Sequence, residues 1–231
     1  MTIPRRALTP PDAPVWRVGR GDRPWSYPDW KYAAHGRFPN RWDDPQGQYR
    51  VVYGSTTRIG ALVESLQAFR PKAGLVKKLA ALGAADAIEP GTVPPSWLGP
   101  RSIASAVLKG SYADVQHHEW IAYLHQHLRP RFKEWGITEL DGAILRSTET
   151  RGVTRAASRL VYEASLSAVD QLPAYSGVAY ESRFGNDMQC WAVFEYADIA
   201  ETPFTQVSLD QLRPYDPDLV AACQILGIHY P

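Results

Sequence analysis

Two arginines, a tyrosine and a glutamate stand out by type and spacing. Arg37 and Arg41 lie four apart in His35-Gly36-Arg37-Phe38-Pro39-Asn40-Arg41. That stretch has no helical or strand period, and two guanidinium groups in such a loop can form a fork around phosphate oxygens. Gly36 lets the backbone approach a ligand closely. Tyr53 ends a strand-like segment, and Glu64 follows eleven positions later. Ile59, Leu62, Val63, Leu66 and Phe69 recur at helical spacing around Glu64. The glutamate falls opposite that apolar stripe, beside Gly60, Ala61 and Ala68. Small residues around one carboxylate suggest a packed ligand; the plainer reading is a surface glutamate.

Other chemistry-bearing residues give weaker signals. Ser182 lacks a Gly-x-Ser-x-Gly setting, which argues against a hydrolase nucleophile. Arg183 beside it suits a phosphate or a surface acid. His117, His118, His125 and His127 contain no His-x-x-x-His pair and have no cysteine near them, so a polar helix face is the simpler reading and no metal ligand is assigned. Arg146, Arg151, Arg155 and Arg159 read as a solvated helix face, with an anion site or partner contact as the alternative. Trp25, Tyr27, Trp30 and Tyr32 crowd the loop before Arg37, either as a lid over a planar ligand or as loop anchors.

The positioning elements follow from pattern. Val15–Val18 and Tyr49–Tyr53 read as strands. A helix runs from about Thr56 to Phe69, where Pro71 stops it. Leu75–Leu82 reads as a helical piece and Glu89–Pro100 as a turn region. Ser111-Tyr112-Ala113-Asp114 resembles a capping box opening a helix to about Leu128. Asp141–Arg146 reads as a strand, Val153–Ser165 as a helix, and Gly177–Arg183, Cys190–Tyr196 and Phe204–Leu209 as strands. Asp216-Pro217 starts a last helix that Gly227 ends. Strands and helices alternate without a regular βαβ period, which predicts an α+β fold.

Composition narrows the function. The 231 residues carry 25 Lys+Arg against 24 Asp+Glu, so no broad electrostatic pull toward nucleic acid or anionic lipid is expected. No apolar run approaches the roughly 20 residues that span a bilayer. Two separated cysteines, Cys190 and Cys223, and no secretory signal fit a cytoplasmic chain.

Trp16-Arg17, Gly36-Arg37-Phe38, Val52-Tyr53 with Glu64 eleven on, and Gly177-Val178-Ala179-Tyr180-Glu181-Ser182-Arg183 together resemble the motifs of RES-domain proteins, in order, from about residue 15 to 200. The resemblance implies a fold like the ADP-ribosyltransferase toxins. This is a mixed or antiparallel sheet core with flanking helices; the sequence itself adds a loose leader over 1–14 and a helical insertion at about 71–140, longer than in compact members of the family. The resemblance implies NAD as a substrate rather than a prosthetic group, cleaved at the nicotinamide–ribose bond. Phosphate is the first expected acceptor, with water or a protein side chain as alternatives. It also implies a bacterial toxin with an Xre-type helix-turn-helix antitoxin, and leaves a homodimer open. A non-catalytic partner-binding domain on the same fold is the alternative from another class. By motif, Glu64, Arg37 and Tyr53 take catalytic places, and Arg17, Arg37, Tyr53 and Ser182 bind the dinucleotide, with Arg41 joining them as the second arginine of the loop fork. The residue types suit that chemistry. The leaving group of NAD is already cationic, so cleavage needs a carboxylate near the ribosyl cation and arginines on the diphosphate. No Gly-x-Gly-x-x-Gly lies between strand and helix, so the binding is not of the Rossmann kind.

Overall fold

A computed structural model describes residues 2–71, 91–166, 174–197 and 202–230. The described strands are β1 (Ala7–Leu8), β2 (Val15–Arg20), β3 (Val51–Ser55), β4 (Arg101–Leu108), β5 (Tyr112–Asp114), β6 (Gly177–Ser182), β7 (Gly185–Phe194) and β8 (Phe204–Gln211). The described α-helices are α1 (Arg58–Leu66), α2 (His118–Leu128), α3 (Gly142–Arg146), α4 (Arg151–Leu166) and α5 (Pro217–Leu226). All these strands form one sheet, in the order β1-β5-β6-β7-β3-β2-β4-β8. β5 and β6 are parallel and the other neighbours antiparallel. The α+β expectation holds, with helices flanking a mixed sheet. Among the described residues no helix is long and apolar enough to cross a membrane.

Strand alternation sends successive side chains to opposite faces. Val51, Val178, Tyr180, Ala192 and Phe194 pack under α2 and α4 through Trp120, Leu124, Val153, Ala157 and Val161. Their strand neighbours Val52, Ala179, Trp191 and Val193 pack on the other face with Val15, Ala104, Trp25 and Phe204. A third cluster joins α1 to α5 over β4, through Leu62, Val63, Leu66, Ile103, Leu219, Ala222 and Leu226. Both helix-covered clusters lie on one side of the sheet, and the gap between them is where the site forms.

Four sequence readings change. Tyr112–Asp114 is a strand, because Tyr112 and Ala113 are buried between β1 and β6. The helix expected from Ser111 starts at His118, where the His117 Nδ1 accepts from the Glu119 N–H. Asp141–Arg146 is a helical turn, because the Asp141 carboxylate caps it by accepting from the Ile144 N–H at 2.8 Å. The stretch 71–140 supplies β4, β5 and α2 to the core, so its described part is not an appendage on it. The described part of the expected loose leader, residues 2–14, is tied to the fold. Ala7–Leu8 pairs with β5, the Arg6 carbonyl accepts from Trp120 Nε1 at 2.7 Å, and the Pro4 carbonyl accepts from the Tyr175 hydroxyl. The helix expected at Leu75–Leu82 lies outside the described residues.

The last helix is fastened to the first by charge. Arg58 donates to both Asp216 oxygens, at 2.7 and 2.5 Å, while Asp216 also caps α5. The Arg58 guanidinium holds the Asp216 carboxyl below its ordinary range. Its contribution is therefore full above the unfolded-state value and is lost as pH falls through the depressed folded value. We expect Asp216→Ala to cost about 1–2 kcal/mol at pH 7. Urea unfolding at pH 7 and at pH below the carboxylate range checks this; the difference from wild type should shrink in acid.

Candidate active site

The sheet parts in its middle. β3 runs beside β7 over Val51–Ser55 and β2 beside β4 over Val15–Arg20, but β2 and β3 meet at the pair Trp16 and Ser55. A continued ladder would satisfy the Tyr53 carbonyl by a strand N–H. Instead the Arg17 guanidinium donates to it at 2.9 Å, and to the Pro24 carbonyl at 2.6 Å. Burial pushes the Arg17 pKa down to about 10, which still leaves it cationic at neutral pH. The parted strands floor a cleft of about 260 Å³.

Glu64 stands in the wall of this cleft, on α1. The N-terminal cap of α1 is Thr57, whose side chain accepts from the Gly60 N–H at 3.0 Å. Gly60 is required there, because a Cβ would lie 2.3 Å from Ser55 Oγ. Glu64 Oε1 accepts from the Ser182 hydroxyl at 2.6 Å, and Oε2 from Gln67 Nε2 at 2.9 Å. The carboxylate is held at both oxygens and still has accepting capacity toward the cleft. It is the one carboxylate lining the inner cleft among the described residues, against Arg17, Arg41, Arg151 and Arg183.

Asn40 and Arg41 reach the cleft from the loop between β2 and β3. That loop is ordered by two buried carboxylates. Asp43 accepts from the Asn40 N–H at 2.6 Å and the Tyr53 hydroxyl at 2.7 Å; Asp44 accepts from the Gln46 and Gln48 N–H groups at 3.1 and 2.5 Å. Burial and Asp43 push the Tyr53 hydroxyl well above its ordinary value, so it stays a donor. Arginines of α4 fasten the loop from outside. Arg151 and Arg155 donate to the Pro39 carbonyl, Arg155 also donates to the Asn40 carbonyl at 3.0 Å, and Arg159 lies 3.6 Å from Asp44. Arg41 packs over the Tyr180 ring at 5.0 Å and donates to the Leu145 carbonyl, while its Nε is buried without a partner.

The structure brings together Arg17, Arg41, Tyr53, Glu64 and Ser182. It does not bring Arg37 to them. Arg37 closes a tight turn with Ala34 by paired backbone hydrogen bonds of 2.9 and 3.1 Å, and its side chain is exposed outside the cleft. Gly36 serves that turn, with φ of 72°, and nothing crowds its missing Cβ. Ser182 is buried and donates to Glu64, so it positions the carboxylate instead of gripping a ribose or phosphate. Sequence reasoning missed Asn40, Gln67 and Thr148, and read Arg151 within a solvated face; only Gln67, three after Glu64 on one helix side, carried a local signal. Cys190 is buried and its thiol is pushed up by burial, so it offers no thiolate. His117, His118 and Glu119 place ligand atoms within 4.8 Å of one another, at the start of α2 and outside the cleft.

Arg17 can be tested directly. Arg17→Ala leaves the Tyr53 and Pro24 carbonyls without their donor and should cost about 2–4 kcal/mol of stability. Arg17→Lys supplies one point charge for a two-pronged contact and should fall between. Denaturant melts of the three proteins check the order; equal stability of Arg17→Ala and wild type would remove Arg17 as the holder of the parted strands.

No curated protein matches the chain. It is similar to a chain in the crystal structure of the M. tuberculosis MbcT-MbcA toxin-antitoxin complex, at 10% identity and a TM-score of 0.48 over 96% of this chain and 92% of that one. The RES domain model matches residues 14–216, which contain the parted strands, Glu64 and Ser182, and the chain belongs to the RES-domain family.

Proposed function

We propose that the chain cleaves NAD at the nicotinamide–ribose bond, with inorganic phosphate as acceptor. One observation carries the reading: a single carboxylate, Glu64, fixed at both oxygens, in an inner cleft otherwise charged by arginines. A dinucleotide has the complementary pattern, an anionic diphosphate next to a sugar carbon that becomes cationic. Arg151 and Arg183, both exposed at the cleft, suit the diphosphate. Glu64 suits the ribosyl centre.

The proposed reaction balances simply. The bond from ribose C1 to the nicotinamide nitrogen breaks, and its electron pair goes to that nitrogen, which becomes neutral. Positive charge develops on the ribosyl centre, where a preorganised carboxylate stabilises it. A phosphate oxygen then forms the new bond to C1, giving ADP-ribose 1-phosphate. Ser182 and Gln67 hold Glu64 so that little reorganisation is needed during reaction. The half-buried Tyr53 ring, in the lining of the cleft, offers the planar nicotinamide a wall, while its hydroxyl stays committed to Asp43. The family resemblance extends the proposal to a toxin restrained by a helix-turn-helix antitoxin.

Glu64→Gln tests the reading by turnover. The substitution keeps size and removes charge, so kcat for NAD should fall by about two to three orders of magnitude with a much smaller change in KM. Unchanged kcat would take Glu64 out of the reaction. In cells, overproduction in a bacterial host should stop growth and drain NAD, and Glu64→Gln should relieve both. Growth arrest with a normal NAD pool would point to modification of a protein target.

A further inference from the structure

The inner cleft opens into a wider one of about 1630 Å³. Among the described residues seven arginines and two glutamates line it, so its charge exceeds what a diphosphate requires. Arg17, Arg151 and Arg183 belong also to the inner cleft; Arg20, Arg23, Arg70 and Arg101 belong only to the outer one. Arg20 and Arg101 face each other in the register of β2 and β4. Burial, and next the Arg20 charge, push the Arg101 guanidinium below its ordinary range. Arg20 and Arg23 are exposed, and neither has a carboxylate partner among the described residues. Like charges facing across a strand pair are unfavourable; Arg101 offsets part of this by donating to the Trp97 carbonyl at 2.5 Å and lying 4.5 Å from the Trp97 ring, and an anion between the two would offset the rest.

Position decides which anion. Arg20 lies two strand residues beyond Val18, which lines the inner cleft, and so on the same face of β2, about 7 Å along the sheet. That is on the order of the reach from one ribose of a dinucleotide across its diphosphate to the other. A cation cluster at that remove meets the adenosine ribose, where NAD has a hydroxyl and NADP a phosphate. We propose that Arg20, Arg23 and Arg101 bind the 2′-phosphate of the adenosine ribose, so that a 2′-phosphorylated dinucleotide is the preferred ligand. The proposal rests on the reading of the inner cleft as a dinucleotide site.

The test uses binding, so that it does not depend on turnover. Wild type and Arg20→Ala/Arg23→Ala are titrated calorimetrically with ADP-ribose and with 2′-phospho-ADP-ribose, after melting curves show both proteins folded. Wild type should bind the 2′-phosphorylated ligand about ten- to a hundredfold more tightly, the scale of one charge-assisted contact. The double variant should lose most of that ratio, and Arg20→Lys/Arg23→Lys should keep part of it. Equal affinities in wild type, a ratio that survives in the double variant, or binding of neither ligand would overturn the proposal. NAD turnover by wild type, measured beside it, shows separately whether the inner-cleft reading stands. An acidic peptide that binds only while Arg20 and Arg23 are present, with no preference between the nucleotides, would assign the arginines to a protein partner instead.

Discussion

The site depends on one substitution of hydrogen bonds. Where β2 and β3 part beyond Trp16 and Ser55, the Tyr53 carbonyl loses its ladder partner, and the Arg17 guanidinium takes that place. A buried carbonyl left alone would cost free energy, and so would a buried cation without acceptors. Each solves the problem of the other. The consequence is a sheet with a cleft in its interior face, floored by strand and walled by α1 on one side and by the loop between β2 and β3 on the other. Glu64 reaches the cleft because α1 follows β3 after a two-residue turn. Ser182 reaches it because β6 ends beside it.

The loop wall is built on a second exchange. Asp43 and Asp44 are adjacent and buried, which is tolerable because backbone N–H groups, the Tyr53 hydroxyl and Arg159 surround them. Their acceptors fold a long irregular segment into one shape. Arg151 and Arg155 then tie its Pro39 and Asn40 carbonyls to α4. Arginines here do two jobs. Some fix carbonyls of the loop, and others leave their charge facing the cleft.

Much of this was legible in sequence where local rules decide. The apolar stripe of α1 placed Glu64 away from the core, the Asp216-Pro217 and Gly227 signals bounded α5, and the apolar runs of β6 and β7 read as strands, buried on both faces. Arg17, Tyr53 and Ser182, which the family motifs singled out, lie around one cleft with Glu64. What failed depends on distant partners. Residues 112–114 carry a helix-start pattern, but burial between two strands overrides it. Residues 101–108 follow a Pro/Gly-rich turn and were hidden as a strand until β2 and β8 supplied their pairing. Arg37 fails for a different reason. It has the chemistry of a phosphate ligand, but Gly36 at positive φ turns the chain there and aims the side chain to solvent. Spacing alone cannot tell which of two loop arginines faces inward; Arg41 does so through the distant Leu145 carbonyl and Tyr180 ring.

The parted sheet, the fixed carboxylate and the arginine walls are the features on which the proposed dinucleotide cleavage rests. The most direct measurement is to incubate the purified protein with NAD and isotopically labelled inorganic phosphate, and to identify the products by mass spectrometry. The account predicts free nicotinamide together with ADP-ribose that carries the labelled phosphate on the carbon that nicotinamide left. Intact NAD, under conditions where the protein is folded, would contradict it.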